Sequence, residues 1–259
     1  ANSGVRAHAE KYMASVNMPY EDRGEDEYAE VDVERAKDIA DAFDDMVANN
    51  LSDERVMAAY RAMADETIAQ YEFLVEQGYT FTPWAGKGEP YANSAEMVAD
   101  VRSEKHLYYF KTINPDDPDS FGDDVQRYIE SGHPLLEEWG EPVLDSAGKE
   151  HQQNVNDLFR AVHDLFGHAK EGFQFGPRGE ENAWRAHSRM YSPDARLAMS
   201  SETRGQNSWV NFGKHLRRED GSIPAKGDPD YVAMDDFENR PFADQKVDLL
   251  PDWATTMTL

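Results

Sequence analysis

Residues 154–170 read NVNDLFRAVHDLFGHAK and form a strongly helical stretch of the chain. The apolar side chains of this stretch recur at the 3.6-residue period of an amphipathic helix and make one stripe. The members of the stripe are Val155, Leu158, Phe159, Val162 and Phe166. Two histidines, His163 and His168, lie in the same segment, so the stretch predicts a packed helix that carries two imidazoles.

Helical periodicity continues on both sides of this stretch. Further helices are predicted over residues 32–49, 52–78, 94–104, 180–191 and 192–205. Few segments alternate with the period of a strand, although His-Leu-Tyr-Tyr-Phe at residues 106–110 favours one short buried strand. The predicted fold class is therefore mainly α, a single helical domain with long irregular loops and at most a small β element.

The chain has 259 residues, which suits one large domain better than two. Residues 1–30 are polar and contain an acidic tract, so they are predicted to form an N-terminal arm. Residues 31–259 are predicted to form the single helical domain and to carry the metal site. Since the connection between the first two predicted helices is short, we expect those helices to pack as antiparallel neighbours.

The charge balance and the composition exclude several classes of partner and site. The chain carries 51 acidic residues against 26 Lys and Arg, and a surface with a net charge of -25 repels nucleic-acid phosphates and anionic lipid. The absence of cysteine rules out disulfides and thiolate metal ligands. No apolar run approaches the roughly 20 residues that span a bilayer, and no signal-peptide pattern opens the chain. We therefore expect a cytoplasmic protein that acts on a small-molecule substrate, with no nucleic-acid partner and no membrane.

The spacing of the two histidines makes a metal site the leading hypothesis, since imidazole is the commonest protein ligand for transition metals. Successive residues of an α-helix are rotated by about 100°, so side chains five residues apart point about 140° away from each other. His163 and His168 therefore converge on one ion only if the helix ends or distorts between them. Gly167 lies where that distortion is needed. Asp164 is expected either to accept a hydrogen bond from an imidazole N–H or to bind the metal itself.

The third ligand is left open among Glu202, Glu181 and His187, with Glu202 preferred. Glu202 falls on a helix face of small residues, which favours close packing against a neighbour. Because burying an unpaired carboxylate is costly, the Glu202 side chain is expected to be either exposed or buried with a partner. A metal ion is one such partner. Glu181 and His187 lie along one predicted helix and are also candidate catalytic residues.

Two enzymatic functions fit such a ligand set. Two histidines and one carboxylate on one face of an ion are typical of non-haem Fe(II) oxygenases, so a mononuclear iron hydroxylase is the first hypothesis. The same residues suit Zn²⁺ in a hydrolase, in which Glu181 or Glu202 would be the general base. A third hypothesis is a virion or interaction protein in which these polar residues form a structural hydrogen-bond network.

Candidate substrate-binding residues follow in the same part of the chain. Arg185 and Arg204 suit bidentate contacts with a carboxylate or phosphate, and Asn207 can add a hydrogen bond. Trp184 and Trp209 are expected to form the walls of the pocket.

The run from His163 to His168, His-Asp-Leu-Phe-Gly-His, resembles the iron-binding motif of the pterin-dependent aromatic amino acid hydroxylases. The resemblance implies Fe(II) bound by both histidines and by Glu202, a mainly helical catalytic domain, and a pterin as a possible cosubstrate. After the second histidine the family has Val-Pro or Cys-Pro, whereas this chain has Ala169-Lys170, and no pterin-binding loop can be placed.

A second resemblance covers the block from Gly179 to Phe212, which is similar to an uncharacterised family common in phage-encoded and metagenomic proteins. It implies a viral or prophage origin, and with it the cytoplasm of the host cell, but no activity.

Overall fold

The computed structural model describes residues 2–21, 28–113 and 125–256. Helices dominate this part of the chain and the strands form two small sheets, which confirms the mainly α fold class. The helices are α1 (Ser3–Ser15), α2 (Val33–Asp44), α3 (Glu54–Glu76), α4 (Ser94–Glu104), α5 (Val125–Glu130), α6 (Val155–His163), α7 (Pro177–Ser188), α8 (Pro193–Ser200) and α9 (Gln206–Phe212). The strands are β1 (Thr80–Trp84), β2 (His106–Phe110), β3 (Val143–Leu144) and β4 (Glu150–His151).

Short helical segments of other types complete the described structure. Single 3₁₀ turns lie at Pro134–Leu136, Lys214–Leu216 and Asp252–Thr255. Two π-helical segments, π1 (Asp164–Ala169) and π2 (Ser201–Gly205), continue α6 and α8 without a break. Among the described residues, no helix combines the length and the apolar character that crossing a membrane requires.

The N-terminal region corrects the prediction of a polar arm over residues 1–30. Residues 3–15 form α1, whose first turn is capped by the side chain of Asn2. The buried side chains of α1 recur at helical spacing and enter the main core: Val5, Ala9, Tyr12 and Met13. Burial of this apolar face stabilises the helix against the core, although the surrounding sequence is polar. Residues 22–27 of the predicted arm lie outside the described residues.

The centre of the fold is α3, which packs against α8 on one side and α6 on the other. Its buried face includes two polar side chains, Thr67 and Gln70, beside a larger apolar set. α6 begins at a capping box in which Asn154 and Asp157 exchange side-chain and backbone hydrogen bonds. That cap fixes the residue at which α6 begins. It therefore also fixes where the last residue of the helix, His163, lies against the core.

Helix packing differs from the prediction for the first two long helices. α2 packs mainly against α9, whereas α3 packs against α8 and α6, so the expectation that α2 and α3 are antiparallel neighbours is wrong. The apolar face of α2, with Ile39 and Phe43, forms a separate small cluster with Leu250 and Ala254. The C-terminal segment thus covers the apolar face of α2, which the sequence predicts to pack against α3.

The larger sheet consists of β1 and β2, which pair in parallel from Thr80↔His106 to Trp84↔Phe110. The crossover between them contains α4, as parallel strands require. β2 is the strand predicted from residues 106–110, and it packs against both α4 and α6. The sheet therefore supports α6, the helix that ends at His163.

Candidate metal centre

The distortion predicted between the two histidines is confirmed as π1. Backbone hydrogen bonds from Lys170 to Leu165 (2.9 Å) and from Phe173 to His168 (3.1 Å) span five residues instead of four. A π turn places residues five apart on the same face of the helix, and such turns are frequent at functional sites. The rings of His163 and His168 consequently approach to 5.4 Å between centroids, at an interplanar angle of 88°.

Gly167 has no side chain, and this leaves space for the imidazole ring of His163. A Cβ at this position would lie 3.1 Å from the ring atoms Cε1 and Nδ1 of His163, and 3.3 Å from the carbonyl oxygen of Ala183 on α7. Any larger residue would therefore push the ring or the helix away. The glycine allows π1, His163 and α7 to meet closely.

The carboxylate that joins the two imidazoles is Glu180, in the first turn of α7. Its Oε2 lies 3.3 Å from Nε2 of His168. One ligand atom from each of His163, His168 and Glu180 lies within 4.8 Å of the other two, which is close enough for all three to bind one metal ion. Both histidines are buried, and the Glu180 side chain is only 18% exposed. The arrangement is a two-histidine, one-carboxylate set.

The protonation of His168 follows from its neighbours. Its Nδ1 lies 3.1 Å from the carbonyl oxygen of Phe173, which can only accept, so Nδ1 carries the proton and Nε2 faces Glu180. Burial alone would lower the pKa of His168, but Glu180 outweighs burial and the pKa rises to about 9. With no metal ion bound, His168 and Glu180 therefore form an ion pair, and a metal ion would compete with that proton.

His163 has a different environment. Its Nδ1 lies 2.9 Å from Nδ1 of His187, whose Nε2 lies 2.8 Å from Oε1 of Gln70. Burial, followed by the charges of His187 and His168, holds the pKa of His163 well below its usual value. Burial also lowers the pKa of His187 to about 3. Both rings are therefore neutral at physiological pH.

Asp164 lies beside this group but does not accept a hydrogen bond from either imidazole. The Nδ1 atoms of both histidines are bonded to other groups, to His187 and to the carbonyl of Phe173, which corrects the predicted supporting role of Asp164. Burial raises the pKa of the Asp164 carboxyl to about 7, although the nearby His168 opposes that shift. Asp164 is a carboxyl able to exchange a proton near neutral pH.

Glu202, the preferred third ligand from the sequence, lies elsewhere. Its Oε1 accepts a hydrogen bond from the hydroxyl of Tyr60 (2.7 Å), and its Oε2 accepts one from the amide of Gln206 (3.2 Å). Burial raises its pKa to about 7. The π2 segment turns this side chain toward Tyr60 of α3, so Glu180 and not Glu202 is the carboxylate that lies beside the two histidines.

The predicted catalytic residues Glu181 and His187 are both held by protein partners. The two carboxylate oxygens of Glu181 accept hydrogen bonds from Arg204 at 2.7 Å and 3.1 Å, and Arg185 lies 3.7 Å away. His187 is fully buried, and hydrogen bonds occupy both of its ring nitrogens. The structure therefore gives Glu181 an ion-pairing role and places His187 behind His163 rather than in the site.

Three predicted substrate-binding residues, Arg185, Arg204 and Asn207, line one cavity together with Glu180. The cavity is a narrow cleft that is partly open to solvent. Asn207 donates to Oε2 of Glu180 at 3.2 Å, so it orients the carboxylate of the candidate centre. Arg204 instead holds the C-terminal segment, because it donates to the carbonyl oxygens of Ala254 (2.9 Å) and Thr256 (3.0 Å). Arg185 keeps a buried Nε–H with no hydrogen-bond acceptor in the described structure.

The two tryptophans do not form the walls of a pocket at the candidate centre, which corrects that prediction. Trp184 is fully buried in the core, donates to Ser200 at 3.0 Å, and stacks beneath the guanidinium of Arg204. Trp209 donates to Asp44 at 2.8 Å and stacks on His215, near the surface.

The sequence reasoning missed Glu180 and Gln70. A signal for Glu180 was present, because Pro177 can occupy the first position of a helix and would place Glu180 in its first turn, where an acidic residue is favoured. Nothing in the sequence pattern separates Gln70 from other polar residues of α3. Comparisons of the chain with protein-family models, with curated proteins and with solved structures gave no match.

Proposed function

We propose that the chain binds one divalent first-row transition metal ion through His163, His168 and Glu180, and that it is a mononuclear non-haem iron oxygenase of the hydroxylase type. The observation that carries the proposal is the convergence of two imidazoles and one carboxylate within 4.8 Å. Two histidines and one carboxylate with positions left open are characteristic of Fe(II) sites that use O₂.

The surroundings of these residues support a metal site rather than an ordinary polar network. The Nδ1 atoms of both histidines are bonded to protein groups, which leaves both Nε2 atoms for the site. Metal-binding histidines are usually oriented in this way by a partner on the other ring nitrogen. Asn207 orients Glu180 in the same manner. Bound iron would supply the activation of O₂, while the protein residues fix the ligands and limit access of water.

The cavity beside Glu180 supports a small-molecule substrate. Arg185 lines it, and its buried Nε–H lies 3.7 Å from the Glu181 carboxylate, which is an ion-pair distance but too long for a hydrogen bond. A carboxylate or phosphate of a substrate would accept from this guanidinium and would lie next to the metal-binding carboxylate.

A metal-dependent hydrolase of the zinc type is the second candidate, and Asp164 is the observation that favours it. Two histidines and a glutamate also bind catalytic zinc. Asp164 follows the ligand His163 in the chain and lies near the charges of His168 and Glu180, where a carboxylate suits a general base that takes a proton from water. Glu180 would then be the ligand and Asp164 the base, in place of Glu181 or Glu202.

Metal analysis of protein purified without chelator or affinity tag tests the proposal. We expect about one ion per chain in the wild-type protein and in His106→Ala, and much less in His168→Ala. His106 is a matched control because it also pairs with a carboxylate, Asp100 at 2.8 Å, but lies in β2, away from the candidate centre. Iron with substrate-dependent O₂ consumption supports the oxygenase, and zinc with no O₂ consumption supports the hydrolase. Metal content far below one ion per chain, after incubation with Fe(II) or Zn²⁺, would contradict both.

A further inference from the structure

A chain of buried hydrogen bonds runs behind His163 and joins three helices. Gln70 of α3 contacts His187 of α7 at 2.8 Å, and His187 contacts His163 of α6 at 2.9 Å. The amide nitrogen of Gln70 also lies 3.0 Å from the carbonyl oxygen of Met190. Gln70 and His187 are fully buried, so no solvent competes for these bonds.

The direction of every bond in this chain follows from the Met190 carbonyl, which can only accept. The amide nitrogen of Gln70 must therefore face Met190, and Oε1 faces His187. Because Oε1 of Gln70 can only accept, the proton of neutral His187 is on Nε2, and Nδ1 of His187 carries a lone pair. That lone pair accepts from Nδ1–H of His163, which leaves Nε2 of His163 unprotonated.

The reverse arrangement is disfavoured at two points. Turning the Gln70 amide over would place its oxygen 3.0 Å from the Met190 carbonyl oxygen, two acceptors with no proton between them. A second proton on either imidazole would place two N–H groups, or a buried charge, at the 2.9 Å contact between His163 and His187. Both changes cost free energy in a site without water.

We propose that Gln70 and His187 are positioning residues that lock His163 in the Nδ1–H tautomer and so present its Nε2 lone pair to the candidate centre. Neither residue touches the metal position in this scheme. The inference deepens the proposed function, because it states which nitrogen binds the ion and what fixes it. The tautomer itself does not depend on whether a metal binds.

NMR of the metal-free protein tests the tautomer directly. In long-range ¹H–¹⁵N spectra with the histidine signals assigned by substitution, we expect a protonated Nδ1 and an unprotonated Nε2 for His163. His187 should show the opposite pattern, with the proton on Nε2. A neutral His163 with its proton on Nε2 would overturn the inference, whatever the result of the metal analysis.

The positioning role is tested by metal affinity in Gln70→Met, with Gln153→Met as the matched control. Gln153 is equally buried and also uses its amide in one hydrogen bond, to Tyr109 at 2.8 Å, but it lies away from the histidines. We expect Gln70→Met to weaken Zn²⁺ or Fe(II) binding by about 10–100-fold, the usual cost of losing a partner behind a ligand, and Gln153→Met to leave it unchanged.

Three results distinguish a failure of the positioning role from a failure of the proposed function. The His163 signals of Gln70→Met should change toward the Nε2–H form or a mixture of tautomers, while thermal unfolding shows whether both variants fold. Equal metal affinities in two folded variants would overturn the positioning role. If the wild-type protein binds no metal ion, the proposed function fails, whereas the tautomer is still decided by the NMR result.

Discussion

The two π segments are built alike but surround their carboxyl groups differently. Each continues an α-helix, and each contains a glycine against a neighbouring ring: Gly167 against His163, and Gly205 against Phe43 at 3.0 Å from its would-be Cβ. Each also carries a half-buried carboxyl whose pKa is raised to about 7, Asp164 in π1 and Glu202 in π2.

The difference lies in the groups that face each turn. π1 faces the first turn of α7, so one ligand atom from each of the two imidazoles and from Glu180 lies within 4.8 Å of the others. π2 packs against α2 and α7, and its Glu202 receives hydrogen bonds from Tyr60 of α3 and from Gln206 of α9. A distorted helix alone does not bring ligand-capable side chains together, and the side chains opposite it decide whether they meet.

Replacing Glu180, which lies opposite π1, and Glu202, which lies within π2, should give the largest contrast. We expect Glu180→Gln to weaken metal binding by more than about 100-fold, since loss of a ligand costs more than the 10–100-fold typical of an outer hydrogen-bond partner. Glu202→Gln should leave the affinity unchanged. Titration calorimetry with Zn²⁺ measures both. A larger loss in Glu202→Gln would restore Glu202 as the third ligand and undo the comparison.

The fold class, the position of α6 and the distortion at Gly167 could be predicted from local sequence, because periodicity and helix geometry depend on neighbouring residues. Local sequence could not predict which of the adjacent residues Glu180 and Glu181 lies beside the two histidines. These two side chains point about 100° apart, so the choice depends on the rotation of α7 about its axis. That rotation is set by packing against π1, which involves residues distant in sequence. The helix α1 was missed because its apolar face is narrow.

Alanine at the two glycines should produce similar losses of stability but different losses of function. Both substitutions place a Cβ at 3.0–3.1 Å from a ring, and overpacking of this kind costs about 1–3 kcal/mol in the free energy of unfolding. Only Gly167→Ala displaces a ligand, so it alone should also weaken metal binding. Denaturant unfolding and metal titration of the two variants test this, and equal metal affinities would count against the π1 site.

The adjacent residues Gln206 and Asn207 offer a finer contrast, because each holds one of the two carboxylates. Asn207 donates to Glu180 at 3.2 Å, and Gln206 donates to Glu202 at 3.2 Å. We expect Asn207→Ala to weaken metal binding by about 10-fold, and Gln206→Ala to have no effect on it. The same titration distinguishes them. A reversed order would show that Glu202 and not Glu180 supports the ion.

The pH dependence of stability should show the raised pKa of Glu202, the carboxyl that lies outside the candidate metal centre. The pKa of Glu202 is about 7 in the folded protein against 4.5 in the unfolded chain, so the folded state holds more protons between these values. Its contribution to stability is therefore present below pH 4.5 and is lost as the pH rises to 7. Glu202→Gln removes this loss and should stabilise the protein by about 3 kcal/mol at pH 8, relative to wild type, but not at pH 4.5. Urea unfolding at the two pH values measures the difference, and a variant less stable than wild type at pH 8 would mean that ionised Glu202 has a cationic partner.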